Sequence, residues 1–493
     1  MSVAGVRTRA GDTASRQRRV VVVGLVGALA FVAAVGGYLA MIAGPYQQDE
    51  SSHVGYALSL RHAELPSIWT PVPTEGGGEH LRIALTRPWP FSDPDVHVAN
   101  NPPFVYLASL PFVELGIRTH VTDAPLLALR LVDLAGAVAA VAVSYLLGRE
   151  LSGGNRFVGC VTAGLLSSVI AIGVLSSVAN LDGPALAATT GVTWMTARFA
   201  RTRALRDATL LGLWCAGAAA VRPMSLVFAA VAGAMALLLG VRARGTSAVV
   251  PLLIRLAGPT ALLTGWFYAL NWHRYGDVTG SDALADKFGL GSGRSLFDLL
   301  TSSDVSVHPF SYLVTEVYGR SPWWEYRGPR PYLIAAVAVG VVSAAIALAA
   351  RSSRSPRPQR DGAHPSLAAW ICSSVLALVP IVVTAQHAAG GGAAHARYLL
   401  PILPVVAAAT ALVATRINRW FAVVLVGAFA IAQLTRIRAA GNIHDAALTL
   451  PQLRDPLVGQ PFLALTVAVA IAGAAVLLGS LVRAAREPAA GER

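Results

Sequence analysis

Charge is scarce in this chain. Asp, Glu, Lys and Arg make up 13% of its 493 residues, against 55% hydrophobic residues. A soluble globular domain carries about a quarter, so a soluble fold is excluded. Lysine is almost absent: Lys287 is the only one, and the rest of the 39 basic residues are arginine, a bias that fits a GC-rich bacterial coding sequence. Cysteine is limited to three residues, Cys160, Cys215 and Cys372, all inside apolar runs. Their spacing excludes a disulfide framework and the usual zinc sites. No nucleotide-binding glycine loop occurs. The DESSH segment at Asp49–His53 lacks the first histidine of a zinc-protease motif. There is no internal repeat of fixed period, and no segment outside the apolar runs is long enough for a separate soluble enzyme.

What the chain has is apolar runs, with a mean hydropathy of +0.57. Runs of about 20 residues can cross a hydrocarbon core, and they predict spans at 20–43, 126–147, 157–178, 183–199, 207–221, 223–241, 254–270, 331–350, 366–384, 398–415, 418–434 and 461–483. The first is longer than the roughly 7–15 residues of a secretory core, which predicts an uncleaved membrane helix. The net charge of +13 is gathered in arginine runs at 16–19, 198–206, 242–255, 351–360, 416–419 and 483–493. Each lies between apolar runs or flanks the first or last of them, so the positive-inside rule accounts for them, and a nucleic-acid partner is not needed.

The predicted fold is all-α: a polytopic transmembrane bundle of about 12 spans with both termini cytoplasmic. Two large extracytoplasmic loops cover 44–125 and 271–330. By region, 1–19 is a basic tail and 20–434 the main transmembrane module. An outer loop follows at 435–460, then a last span and tail at 461–493. The apolar, proline-bounded segment Pro102–Gly116 is too short to span and predicts a helix lying at the membrane surface.

The polar signals cluster on the predicted outer side. Asp49 and Glu50 follow directly on the first span. Outer acids are usually solvated, but ionisable groups at the membrane plane are functional candidates. Such a pair could accept a proton from a hydroxyl or hold a divalent cation. His53, one helical turn on, reads as part of a polar helix face. Asn100, Asn101 and two prolines read as a helix start. Asp182 reads as a cap of the next helix, with lining of a site as the second option. Arg222 sits in a tight outer hairpin and Arg397 at the end of a glycine-rich outer loop, with His387, His395 and Tyr398 nearby. Both arginines stand on the side that disfavours positive charge. Snorkelling to lipid headgroups is one reading; capture of a phosphate by the guanidinium fork is the other. In the second loop Trp272, Tyr275, Tyr312, Trp323, Trp324 and Tyr326 read mainly as interfacial anchors.

Taken in order, QQDESSHVGYALSL, NPPFVYLASLP, NLDGPALA, VRPMSLVFA and ARYLLPILP resemble the GT-C glycosyltransferases. That superfamily is typified by dolichyl-phosphate-mannose protein mannosyltransferases and by bacterial enzymes that modify lipid A with aminoarabinose. The resemblance implies a multi-pass enzyme of a bacterial plasma membrane with its active site outside. It implies a polyprenyl-phosphate-linked sugar as donor, a glycan, lipid or protein hydroxyl as acceptor, and inversion at the anomeric centre. Asp49 would be the base, with Glu50 its neighbour or a metal ligand. Arg222 and Arg397 would hold the donor phosphate, and His53, Asn101, Asp182, His395 and Tyr398 would line the site. The resemblance fixes no cofactor; a divalent cation, held by Asp49 and Glu50, is an option. The shortage of lysine departs from the aminoarabinose enzymes and argues against a lipid A acceptor. The protein mannosyltransferases' lumenal domain has no counterpart. The competing class is a multi-pass transporter or flippase, for which Asp133 is the main acid inside a predicted span.

Overall fold

The computed structural model describes residues 3–42, 49–86, 93–169, 178–290, 331–353, 366–389, 396–441 and 456–486. Each apolar run predicted as a span falls wholly or partly on a helix. Among the described residues β-structure is one isolated bridge, Pro71–Asp95. In chain order the helices are α1 (Val3–Ile42), α2 (Glu50–Arg61), α3 (Gly78–Leu85), α4 (Phe104–Arg118), α5 (Ala124–Leu151), α6 (Arg156–Ser167), α7 (Asp182–Thr202) and α8 (Leu205–Ala219). They continue with α9 (Pro223–Arg244), α10 (Val249–Tyr275), α11 (Ser281–Lys287), α12 (Pro331–Ser353), α13 (Leu367–Ala389), α14 (Leu403–Ile417), α15 (Arg419–Gly441) and α16 (Pro456–Arg486).

Seven helices among the described residues are long and apolar enough to cross a membrane. Five predicted spans are not among them: over the described residues those on α6, α12 and α15 are shorter apolar helices, α8 has only 15 residues, and α7 is long but not apolar enough. The reason is visible in α7, which is buried almost throughout and carries Thr189, Thr190, Thr193 and Thr196 in the interior. Their hydroxyls donate to carbonyls one turn back, as Thr190 does to Leu186 at 2.6 Å and Thr196 to Val192 at 2.7 Å. A helix surrounded by protein can hold hydroxyls that a lipid-facing helix would not.

Local chemistry sets the helix ends that matter for the site. Pro223 cannot continue α8, but it can start α9. Arg222 between them is left extended at φ −150°, ψ 150°. Pro401 and Pro404 break the entry to α14, so 396–402 forms a 3-10 segment that carries Arg397 and Tyr398. The α5–α7 crossing is closer still. A Cβ on Gly136 would overlap the backbone of Pro184, and one on Gly183 would overlap the carbonyl of Asp133. Only glycine permits that contact. It seats the start of α7 against the buried upper part of α5.

The bundle has two unlike ends. At one, the tip of α5 meets the start of α13 through Trp370 Nε1 to the Leu151 carbonyl at 3.0 Å. The ends of α7 and α9 join it, through Arg201–Glu150 at 2.5 Å and Arg244 to the Arg203 carbonyl at 2.6 Å. These are the arginine-rich turns. At the other end, parts of the first loop and the start of the second pack together. Tyr275 accepts from the Ile68 amide at 3.1 Å, Arg274 donates to the Pro66 carbonyl at 2.8 Å, and Asn100 Nδ2 donates to the Thr279 carbonyl at 3.0 Å. The predicted surface helix is α4, 15 residues long, and it leaves Leu107, Phe112 and Leu115 exposed. Of the second-loop aromatics, Trp272 is exposed, whereas Tyr312, Trp323, Trp324 and Tyr326 lie outside the described residues.

Candidate active site

The loop-bearing end holds a cleft of about 410 Å³, its open mouth included, between α7, α9, α13 and the 3-10 segment before α14. Its polar lining is Asp182, Thr189, Arg222, Ser225, Arg397 and Tyr398; Leu186, Phe228, Val379 and Leu400 supply much of the apolar wall. Two guanidiniums 175 positions apart in the chain thus share one cavity.

Arg397 Nη2 reaches Asp49 Oδ2 at 2.7 Å. Arg222 Nη1 lies 2.7 Å from Asp182 Oδ1. The second contact has ion-pair distance without hydrogen-bond alignment, since both oxygens of Asp182 lack a hydrogen-bond partner. Asp133 Oδ2, Asn180 Oδ1 and Arg397 Nε are buried and unpartnered as well. Buried polar atoms are nearly always satisfied, so this concentration of open valences singles the region out as a candidate site. The backbone agrees. Leu181, just before Asp182, adopts φ +59°, a left-handed conformation that a branched residue rarely takes.

Asp182 therefore does not cap α7. The N-cap position belongs to Leu181 and no side chain caps the helix; the Asp182 carboxylate turns to Arg222 and the cleft. Arg222 does not snorkel either, its side chain being only 15% exposed. Tyr398 lies beneath the Arg397 guanidinium, 5.5 Å from ring centre, and meets His387 edge-on.

Asp49 stands at the rim with 31% of its side chain exposed. Burial on its other sides would raise its pKa, but the Arg397 guanidinium and then His97 outweigh this and hold the carboxyl well below the usual range. His97 Nε2 lies 3.5 Å from Asp49 Oδ1, and its Nδ1 lies 3.3 Å from Asp93 Oδ2. Burial opposes protonation of His97, yet the two carboxylates prevail and raise its pKa. Lys287, the single lysine, closes the row: its Nζ is 3.5 Å from Asp93 and 2.7 Å from Asp95.

Glu50 is turned to another task. It is fully buried, Arg130 grips both its oxygens at 2.8 Å, and the Ala179 amide donates to Oε1 at 2.9 Å. A cation shared by Asp49 and Glu50 does not fit this arrangement, because each carboxylate is already matched to a guanidinium. Among the described residues no group of three or more His, Cys, Asp or Glu could hold a metal ion.

The other predicted lining residues are supporting ones. His53 is buried, with Nδ1 2.8 Å from the Tyr106 hydroxyl. Burial foremost, then the charges of Arg222, His97 and Arg397, push its pKa down to about 3 against the pull of Asp49, so it is neutral. Asn101 accepts from Tyr56 through its carbonyl at 2.9 Å. Neither lines the cleft. His395 lies outside the described residues.

Sequence reasoning missed Arg130, His97 and Asp93. Arg130 was detectable as a charge inside an apolar run. Asp93 and His97 carry an i, i+4 spacing in DPDVH, although their helix is only the 3-10 turn His97–Asn100.

No protein-family model and no curated protein sequence matches the chain. Solved structures do. ArnT from Cupriavidus metallidurans bound to undecaprenyl phosphate aligns over 94% of this chain and 77% of that one, with a TM-score of 0.50 at 12% identity. Its apo form aligns over 97% and 78%, with a TM-score of 0.49 at 13% identity. The oligosaccharyltransferase AglB from Archaeoglobus fulgidus, in complex with an inhibitory peptide and a dolichol-phosphate, aligns over 94% and 56%, with a TM-score of 0.40 at 14% identity. The likeness to ArnT shows the fold: this chain shares the polytopic helical architecture of that structure.

Proposed function

We propose that this protein is a membrane glycosyltransferase that moves a sugar from a polyprenyl-phosphate carrier to an acceptor hydroxyl at the extracytoplasmic face. The observation that carries the reading is the meeting of Arg222 and Arg397 in one cleft, with Asp49 paired to Arg397 at its rim. ArnT, whose fold is shared, binds undecaprenyl phosphate, and two arginines beside an apolar wall suit a phosphate on a lipid tail. The arginine-rich turns at the far end of the bundle support a cytoplasmic position for that end by the positive-inside rule.

In this mechanism the donor phosphate binds between Arg222 and Arg397. Asp49 Oδ2 takes the proton of the acceptor hydroxyl as its oxygen bonds to the anomeric carbon. The bond from that carbon to the phosphate oxygen breaks, and its electron pair leaves with the polyprenyl phosphate. The added negative charge is met by guanidiniums already in place. Positive character on the sugar ring at the transition state is expected of glycosyl transfer in general. An acceptor attacking opposite to the phosphate gives inversion. No step here draws on a metal ion.

Asp49 resting against Arg397 is a weak base, and a phosphate that draws on the same guanidinium strengthens it. Glu50 contributes by fixing the start of α2, and thereby its neighbour Asp49, through Arg130. A transporter reading would draw on Asp133, but this acid lies with Asp182 at the same one-sided group, its Oδ1 bonded to the Gly183 amide at 3.2 Å.

The test is transfer from a labelled polyprenyl-phosphate sugar in proteoliposomes. Asp49→Asn abolishes transfer if Asp49 is the base; unchanged transfer removes it from that role. Label passing to acceptor without net carrier crossing the bilayer separates the enzyme from a flippase.

A further inference from the structure

The two oxygens of Asp49 have different partners. Oδ2 meets Arg397 at 2.7 Å, while Oδ1 faces His97 at 3.5 Å. His97 is in turn braced from behind. Asp93 stands 3.3 Å from its other nitrogen, at ion-pair distance without hydrogen-bond alignment, Lys287 stands 3.5 Å from Asp93, and the Phe288 ring meets the imidazole edge-on at 5.5 Å. Lys287 is itself tied to the Ile68 carbonyl at 2.7 Å and to Asp95 at 2.7 Å. This row crosses from the first loop to α11 and contains no residue of the cleft. It ends on the side of Asp49 away from Arg397.

Resting on the reading of Asp49 as base and Arg397 as phosphate ligand, we infer that His97 is a positioning residue. It holds Oδ1 of Asp49 so that a phosphate arriving at Arg397 releases Oδ2 alone, with the carboxylate still ionised and aimed. Phosphate and Asp49 compete for one guanidinium. Without a second cation, the carboxylate losing that guanidinium would turn to solvent or take up a proton, and in either state it could not accept the acceptor's proton. His97 supplies the second cation, and Asp93 keeps it charged and in place. Donor binding and exposure of the base then become one event.

Among the described residues, few charged groups bear on this balance. Facing Asp49 are Arg397 and His97, with neutral His53 on α2 behind it. Facing His97 are Asp49 and Asp93, with Lys287 beyond Asp93.

The probe is undecaprenyl phosphate titrated calorimetrically into protein in nanodiscs, in two buffers of different ionisation enthalpy. Asp49→Asn frees Arg397 and is expected to tighten binding roughly tenfold. His97→Gln is expected to bind with extra proton uptake relative to wild type below neutral pH, because Asp49 protonates as it loses Arg397. In the Asp49→Asn background, His97→Gln adds no such uptake. Asp93→Asn, which leaves His97 in place but unbraced, gives a smaller effect of the same sign and decides the matter if His97→Gln does not fold. Equal proton uptake in wild type and both single variants overturns the role of His97 while leaving the donor site intact. Failure of wild type to bind the carrier at all, or binding indifferent to Arg397→Gln, overturns the underlying donor reading instead.

Discussion

Asp49 and Glu50 are neighbours in sequence, carry the same charge, and each faces an arginine far along the chain. Their environments could hardly differ more. Glu50 is fully buried, both its oxygens are gripped by Arg130, and that arginine donates onward to the Ala40 carbonyl at 2.8 Å. Asp49 keeps 31% exposure and meets its arginine through one oxygen, and Nε of that arginine has no partner. The saturated pair has nothing left to offer a substrate; the half-satisfied pair does. In the proposed mechanism, completeness of hydrogen bonding, more than charge or position in sequence, separates the brace from the base.

The comparison can be broken at either member. Glu50→Ala leaves a buried, unpaired guanidinium at Arg130 and is expected to cost about 3–5 kcal/mol of stability. Thermal unfolding in detergent would show the loss; an unchanged midpoint would mean the brace is dispensable. Asp49→Asn is expected to spare the midpoint and lower transfer by roughly 100- to 10,000-fold. A fall in both measurements together would erase the distinction between the two acids. Arg397→Lys keeps the charge but loses the fork. It should raise the donor KM roughly 10- to 100-fold, with a smaller change in kcat if phosphate binding is its main task.

Two smaller effects sharpen the picture on the His97 side. Lys287→Met removes the tie between the loops and should lower local stability by about 1–2 kcal/mol, read as faster hydrogen exchange over residues 66–97. The pH dependence of that exchange has a definite sign. The pKa of His97 is raised above 6.5 by Asp49 and Asp93 against the opposing pull of burial. Its contribution is therefore full below about 6.5 and lost as pH rises through the folded value. Exchange over 93–101, corrected for intrinsic rate, should quicken on going from about pH 6 to about pH 9. A flat profile would show that His97 is not held as a cation.

Much of the scaffold was legible in the sequence. Apolar runs mark helices because lipid and a packed interior both reject charge, and the arginine runs mark one end of the bundle. Arg222 and Arg397 stood out because the predicted topology puts them on the side that disfavours positive charge, and Asp49 because it follows an apolar run closely. The partners were not legible. Asp49 meets Arg397 across 348 positions and Glu50 meets Arg130 across 80, and no local pattern encodes which arginine each acid finds. Asp182 was misread for a related reason. An acid just before a helix proline reads as a cap, and only the α5–α7 crossing, with Gly136 and Gly183 in backbone contact, turns it toward Arg222. α7 is long but not apolar enough to span for the same reason, since its threonines face protein and not lipid, whereas α8 has only 15 residues.

The most direct test of the central claim is the affinity of undecaprenyl phosphate for the protein in nanodiscs, wild type against the double variant Arg222→Gln, Arg397→Gln. If the two guanidiniums share one phosphate, the double variant should bind at least roughly 100-fold more weakly. Equal affinity in the two proteins would contradict it.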